Sequence, residues 1–380
     1  MIGHPFELRA LDGTNPLGFL AALGTLVTLE QSAGMGVRLR WRLAHTWVPV
    51  LEGAAVAGER ALAEVVAESL RGKPLAPGAE QDREAAQRAM RDAKTAVKKK
   101  RDEIRRRRLS RSERAEAEER EVQPMLQEYE AKRRRWLETL RCAVPRPELA
   151  LGARIDCTAE EYREHAGGFL AGAGYAERDA LDMLAAFGSD GCRRRNSDTI
   201  APTPFCFTSG SGHQEFLDTA RQLIDKVTPG RVHETLFEPW SYRDEKFSMR
   251  WDPAEDRRYA LLDHDPSEDS TRTVWMANLL AYRALALFPT TPTGRGLVAT
   301  GWYDEGEGRD RREFFTWPLW EYPATLDSVR TVLQLPELMQ ERPDGSLLRA
   351  RGIAAVYRVQ RITVGDGPNK KVNFTPARRV

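Results

Sequence analysis

The chain has 380 residues, 41% of them hydrophobic and 8% aromatic, which supplies a large core and excludes a wholly disordered chain. The net charge is only +2, yet residues 79–141 hold 20 Lys and Arg against 14 Asp and Glu, so the remainder is net negative. A basic surface confined to one segment suits a polyanionic partner, a class that the whole-chain average hides.

"PFELRAL" is a short extended segment that ends at the turn pair Asp12–Gly13. Asn15 followed by Pro16 predicts a helix start. Asn accepts a backbone N–H as N-cap, and Pro at the first helical position lacks only an N–H that has no helical partner. The helix "LGFLAALGTLVTLEQ" carries Leu17, Leu20, Leu23, Leu26 and Val27 as apolar contacts, while Gly18, Ala21, Ala22 and Gly24 leave room for a second backbone. "VRLRWRL" alternates, with Val37, Leu39, Trp41 and Leu43 on one face and Arg38, Arg40 and Arg42 on the other, and "TWVPVLE" is its expected partner.

From residue 79 the character changes. "EQDREAAQRAMRDAKTAVKKKRDEIRRRR" has no Pro or Gly and predicts a helix of about 45 Å. Ser110 and Glu113 have capping-box spacing, and Pro124 kinks or restarts the second arm, which ends near "YEAKRRRWLETLR". Ala93, Val97 and Ile104 facing Met125, Tyr129 and Trp136 make a helical hairpin, with a continuous coiled-coil dimer as the competing arrangement. After "PRPEL" the body resumes with a second capping box, Thr158 and Glu161, on "TAEEYREHAGGFL", and with the helix "RDALDMLAAFG". "HQEFLDTARQLIDKV" and "STRTVWMANLLAYRALALF" read as helices, "TGRGLVATGWY" and "RREFFTWPLW" as two strands, and "TLDSVRTVLQL" as a short helix. "IAAVYRVQRITV" and "KKVNF" close the chain as a hairpin. Without a βαβ alternation the expected class is α+β, a mixed globular body with an inserted long basic helical hairpin. The expected parts are 1–78 and 142–380 for the body and 79–141 for the arm.

Six histidines show no H-x-x-x-H or H-E-x-x-H spacing, "GTNPLG" lacks the G-K-[ST] of a phosphate loop, and no G-x-S-x-G elbow occurs. His264–Asp265 in "DHDPSED", next to Asp263, resembles a metal-hydrolase dyad in letters only, against the simpler reading of a solvated acidic loop. Cys142, Cys157, Cys192 and Cys206 have no C-x-x-C pairing, which suits neither zinc nor a disulfide framework and fits a reducing cytoplasm. "MIGHPFELRALDG" lacks a basic region followed by an apolar run, and "PLGFLAALGTLVTL" is too short for a bilayer, so no secretory signal and no membrane partner are expected. Neither a catalytic residue nor a cofactor is expected.

Two features point to anion binding. "FTSGSGHQEF" at 207–216 is a Gly/Ser loop running into a helix, where unpaired N–H groups meet the positive end of the helix dipole. Ser209, Ser211 and Gln214 add donors and acceptors able to meet phosphates or base edges, and Arg193, Arg194 and Arg195 lie upstream. The plain alternative is a Ser-capped corner. "KKKRDEIRRRR" holds Lys98, Lys99, Lys100, Arg101, Arg105, Arg106, Arg107 and Arg108, spread all around a helix, as a phosphate clamp or a solubilising face.

Four blocks then carry a resemblance: "LDGTNPLGFLAALGTL", "RWDPAEDRRYAL", "RALALFPTTPTGRGLVATGW" and "FTWPLWEYPATLDSVRTVLQL". Together they resemble the divergent large-subunit proteins of type I CRISPR effector complexes, the type I-G (formerly I-U) group above all. The resemblance covers the body and not residues 79–141. It implies a Cascade-type surveillance complex with guide RNA on repeated backbone subunits. The large subunit there senses the protospacer-adjacent motif in target double-stranded DNA, helps open the duplex and docks a helicase-nuclease. The chain is short for that role and shows no C-terminal four-helix bundle, which implies a separate small subunit or a reduced version. The expected function is therefore a non-catalytic nucleic-acid-binding subunit. The alternatives are an assembly protein whose hairpin binds other proteins, and a metal-dependent nuclease built around His264.

Overall fold

The computed structural model describes residues 4–172, 178–195, 197–207, 215–255, 272–294, 296–306, 310–364 and 371–380. The chain is a mixed α+β protein with two compact units, one formed by Met1–Gly72 and Ala153–Val380, the other by Lys73–Gly152. The first unit opens with β1 (Phe6–Glu7), α1 (Pro16–Val27), β2 (Arg38–Leu43), β3 (Trp47–Glu52) and α2 (Glu59–Arg71). The second unit holds α3 (Ala79–Arg106), α4 (Arg111–Ala117) and α5 (Gln123–Ala143). The first unit then continues through α6 (Ala159–Gly172), α7 (Arg178–Phe187), α8 (Phe216–Asp225), α9 (Pro229–Phe237), β4 (Asp244–Glu245), β5 (Arg272–Thr273) and α10 (Trp275–Ala284). It ends with β6 (Thr290–Thr293), β7 (Gly296–Ala299), β8 (Trp302–Glu305), β9 (Arg312–Trp320), α11 (Leu326–Leu333), α12 (Gly345–Ala350), β10 (Ile353–Val364), β11 (Lys371–Phe374) and β12 (Arg378–Arg379). Among the described residues no helix is long and apolar enough to cross a membrane.

α1 begins where its sequence says it should. The Asn15 Oδ1 accepts the N–H of Leu17 at 2.8 Å and of Gly18 at 3.4 Å, with Pro16 at the first helical position. Asn has a second use here that Asp lacks: its Nδ2 donates to the buried Asp252 at 2.9 Å, and Asp252 also accepts the Tyr242 hydroxyl at 2.7 Å. Asn15→Ala therefore removes a cap and one donor to a buried carboxylate. The expected loss is about 2–3 kcal/mol in a urea titration. A loss under about 1 kcal/mol would show that the cap and Asp252 are energetically independent.

Every residue of α1 is buried, as befits a helix that is apolar all round. Its close neighbour is α10: a Cβ placed on Gly24 would lie 1.7 Å from the Leu280 carbonyl oxygen. The two helices thus touch backbone to backbone at a position where only Gly fits.

Antiparallel β1–β3–β2 forms one small sheet. Val37, Leu39 and Trp41 are buried as the alternation predicts, but Leu43, at the strand end, is 58% exposed. A second sheet runs β11–β10–β9–β8, with β12 also on β10. β9 ties back to the N-terminal block, since Trp317 Nε1 donates to the Gly13 carbonyl at 2.9 Å and Trp320 Nε1 to that of Leu39 at 2.8 Å. Phe205 sits among Trp251, Phe288, Trp302 and Phe315, with ring centroids 5.1–6.1 Å away. Each of the four blocks that carry the family resemblance thus contributes residues to one core, namely Gly13 and Gly24, Trp251 and Asp252, Phe288 and Trp302, and Phe315 and Trp317.

Several elements differ from the sequence expectation, α9, α12 and β12 among them, none of which was expected. The helix expected over "STRTVWMANLLAYRALALF" starts only at Trp275, after β5, because the Asp244 carboxylate takes the N–H of Trp275 at 2.9 Å. "TGRGLVATGWY" is two strands, broken where Gly301 adopts φ +80. β6, in "TTPT", was not expected and pairs with β7.

Candidate nucleic-acid interface

Within the Lys73–Gly152 unit, α3 is followed by a Ser110–Glu113 capping box with both reciprocal bonds present. A π-helical turn over Glu118–Val122 precedes α5, whose first turn holds Pro124. α5 runs back along α3. The partly or fully buried α3 positions include 83, 86, 90, 93, 97, 100 and 104, a spacing of four and three that Arg107, the residue capping α3, continues. That is the period of a coiled-coil seam. Val97 and Ile104 pack with Ala117 and Val122, flanked by Leu109, Met125, Leu126 and Tyr129.

The seam sorts the basic residues. Lys100 and Arg107 fall on it and both pair with Glu121, at 3.5 and 2.7 Å, while Glu103 takes the same two cations at 3.0 and 2.5 Å. The Arg107 hydrogen bond, with help from Lys100 and Arg120, holds the Glu121 carboxyl down at about 2. Arg107 is in turn held above the usual guanidinium range by Glu121 and then Glu103. These two cations serve the arm itself.

The sign of the pH effect follows. Glu121 has its folded-state value below the ordinary 4.5, so its contribution is complete above 4.5 and disappears as pH falls toward 2. Comparing Glu121→Gln with the parent by amide exchange, the loss of α3 protection should be present at pH 6 and fade between 4.5 and 2. A difference that persists at the acid end would refute the pairing.

The other cations stand outside the seam. Arg91, Lys98 and Arg105 recur every seven residues, and so do Lys94, Arg101 and Arg108; all six are exposed. Seven-residue repeats three apart fall on one flank of a helix, so the five on α3 make a row about 21 Å long, and Arg108 lies beyond its end, past the extended Arg107. Among the described residues only Arg105 of this row has an ion pair, with Asp102 at 3.5 Å, and it remains 69% exposed. Lys99 and Arg106, also exposed and seven apart, face another side of the helix. Arg91 and Lys94 were not among the candidates named from the sequence, although the seven-residue repeat was there to be read.

The arginine triplet divides. Arg194 turns inward and donates to the carbonyls of Ile200, Arg154 and Ile155 at 3.4, 3.0 and 3.3 Å. This clamp includes the carbonyl of Ile155, a non-glycine residue at φ +62. Arg193 faces solvent near Asp198 at 3.5 Å, and Arg195 is exposed. Ser209, Ser211 and Gln214 lie outside the described residues, as do Asp263, His264 and Asp265. Among the described residues no group of three or more His, Cys, Asp or Glu side chains is placed to hold a metal ion. Neither a protein-family model nor a curated protein sequence matches this chain.

Proposed function

We propose that this protein is a non-catalytic nucleic-acid-binding subunit of an RNA-guided surveillance complex of the type I CRISPR class. The observation that carries the reading is the row Arg91, Lys94, Lys98, Arg101 and Arg105, with Arg108 just beyond its end, exposed and with a single ion pair among the described residues. The exposed row contrasts with neighbouring Lys100 and Arg107, which are neutralised by glutamates, so the basic residues of the arm divide into structural and available ones. A rigid positive edge meets regularly spaced phosphates, and each contact releases counterions.

The resemblance of the core-forming blocks supplies the complex: guide RNA, target duplex, other effector subunits and a helicase-nuclease as partners. In this reading the arm binds backbone without regard to sequence, and recognition of the flanking motif falls to other residues, with Ser209, Ser211 and Gln214 as the candidates. The experiment is fluorescence anisotropy of the purified protein with target duplex between about 50 and 200 mM salt. Binding that weakens steeply with salt supports the proposal. A folded protein that does not retain duplex even at low salt would turn the arm into a protein-docking element and favour the scaffold alternative.

A further inference from the structure

We propose that the cleft between α9, the segment 239–244 and the start of α10 is a stacking site for one unpaired nucleobase of a single-stranded nucleic acid. The site is separate from the arm and lies wholly within the first unit. The cleft is small and open to solvent, so a base would lie against its wall rather than be enclosed. Its walls include Arg231, Trp240, Tyr242, Arg243, Thr273 and Met276.

Two aromatic rings give the site its shape. Trp240 and Tyr242 stand 6.1 Å apart at 78°, an edge-to-face pair on the cleft wall. Both rings are pinned by their polar ends, Trp240 Nε1 on the Thr235 carbonyl at 3.0 Å and the Tyr242 hydroxyl on Asp252 at 2.7 Å. Stacking on such a platform accepts any base, because every base has a π-face.

The backbone here is held in a conformation it would not choose. Tyr242, Lys246, Phe247 and Arg250, none of them glycine, have φ of +48, +64, +54 and +62. Several tertiary bonds keep them there: Arg231 to Asp244 at 2.8 Å, the Trp275 N–H to Asp244 at 2.9 Å, and the Met249 N–H to Asn278 at 2.8 Å. Over-determined strain of this kind concentrates at ligand sites.

The rim suits a base with its phosphates. Arg243 is 57% exposed and pairs with Glu234, and Arg231 pairs with Asp244 while lying 4.6 Å over the Trp275 ring. Each of these two cations is held by a carboxylate, so donor and acceptor stand side by side on the rim. In the β4–β5 ladder Asp244 faces Thr273 and Glu245 faces exposed Arg272, and exposed Lys246 follows β4; neither cation has an ion pair among the described residues. Aromatic platforms bordered by uncommitted cations are the recurring design of single-strand binders.

The test uses the full chain with a fluorescent single-stranded oligonucleotide of about twelve thymidines and an abasic oligomer with the same phosphates. The parent should bind the base-bearing strand about ten-fold more tightly than the abasic one, with quenching of tryptophan emission. Trp240→Leu should abolish the preference and leave abasic binding unchanged, while Trp240→Phe should retain most of it. Arg243→Glu, at a largely exposed side chain, should also erode the preference and keeps the test decisive if Trp240→Leu does not fold. Equal affinity of the parent for both oligomers would overturn the proposal, as would a preference that survives both Trp240→Leu and Arg243→Glu. Quenching by a peptide mixture alongside equal oligomer affinities would do the same and mark a protein-docking cleft. Duplex binding through the arm, read by its salt slope, is unaffected by Trp240→Leu, so the two proposals fail independently.

Discussion

Gly24→Ala is expected to destabilise the protein by about 3 kcal/mol, even though alanine is the better helix former. The added Cβ would lie 1.7 Å from the Leu280 carbonyl oxygen, 2.5 Å from its carbon and 3.2 Å from the Ala284 nitrogen. All three are main-chain atoms of α10, so no side chain can rotate away, and α1 is buried on every side. The helices must separate, which opens voids along their contact. Local propensity alone predicts the opposite sign, a gain of about 1 kcal/mol. A urea titration therefore separates the two accounts cleanly. A neutral or stabilised variant would show that α1 and α10 do not meet at Gly24.

Replacing Arg91, Lys94, Lys98, Arg101, Arg105 and Arg108 with Gln should flatten the salt dependence of duplex binding by about three to five units of slope, because each phosphate contact contributes about 0.9. The loss should be uniform across target sequences, since backbone contacts carry no base information. The fold should survive, because the six lie outside the seam and, among the described residues, contribute only the exposed Arg105–Asp102 pair. Lys100→Gln with Arg107→Gln is the informative contrast: those cations face Glu103 and Glu121, so the arm should loosen while the slope changes little. If the six-fold variant keeps the parental slope, the row does not touch phosphates. If the seam pair changes the slope as much as the row does, the ion-pair assignment is at fault.

Much of the local structure was legible. Asn15 with Pro16, Ser110 with Glu113, and Thr158 with Glu161 mark helix starts because a cap and its donors lie within one turn. The alternation of "VRLRWRL" and the closing hairpin at 353–374 read correctly because side-chain period depends on backbone geometry alone. Of the candidate interface, Lys98, Arg101, Arg105 and Arg108 were visible as charge.

What the sequence determined by itself, then, was everything set by neighbours within about one helical turn or one strand pair: capping residues, periodicity, the α+β mixture and the concentration of cations in one segment. Tertiary structure alone decided which of those groups are free. Asn15 meets Asp252 from 237 positions away, α10 starts at Trp275 because Asp244 takes its N–H, and Arg194 turns inward toward the carbonyl of Ile155. Lys98 and Lys100 are the same residue two places apart, yet the seam leaves one exposed and sets the other against Glu121. The reason is physical. A charge carries the same formal value wherever it stands, but its availability depends on the carboxylate packed opposite, and that is settled only when distant segments come together.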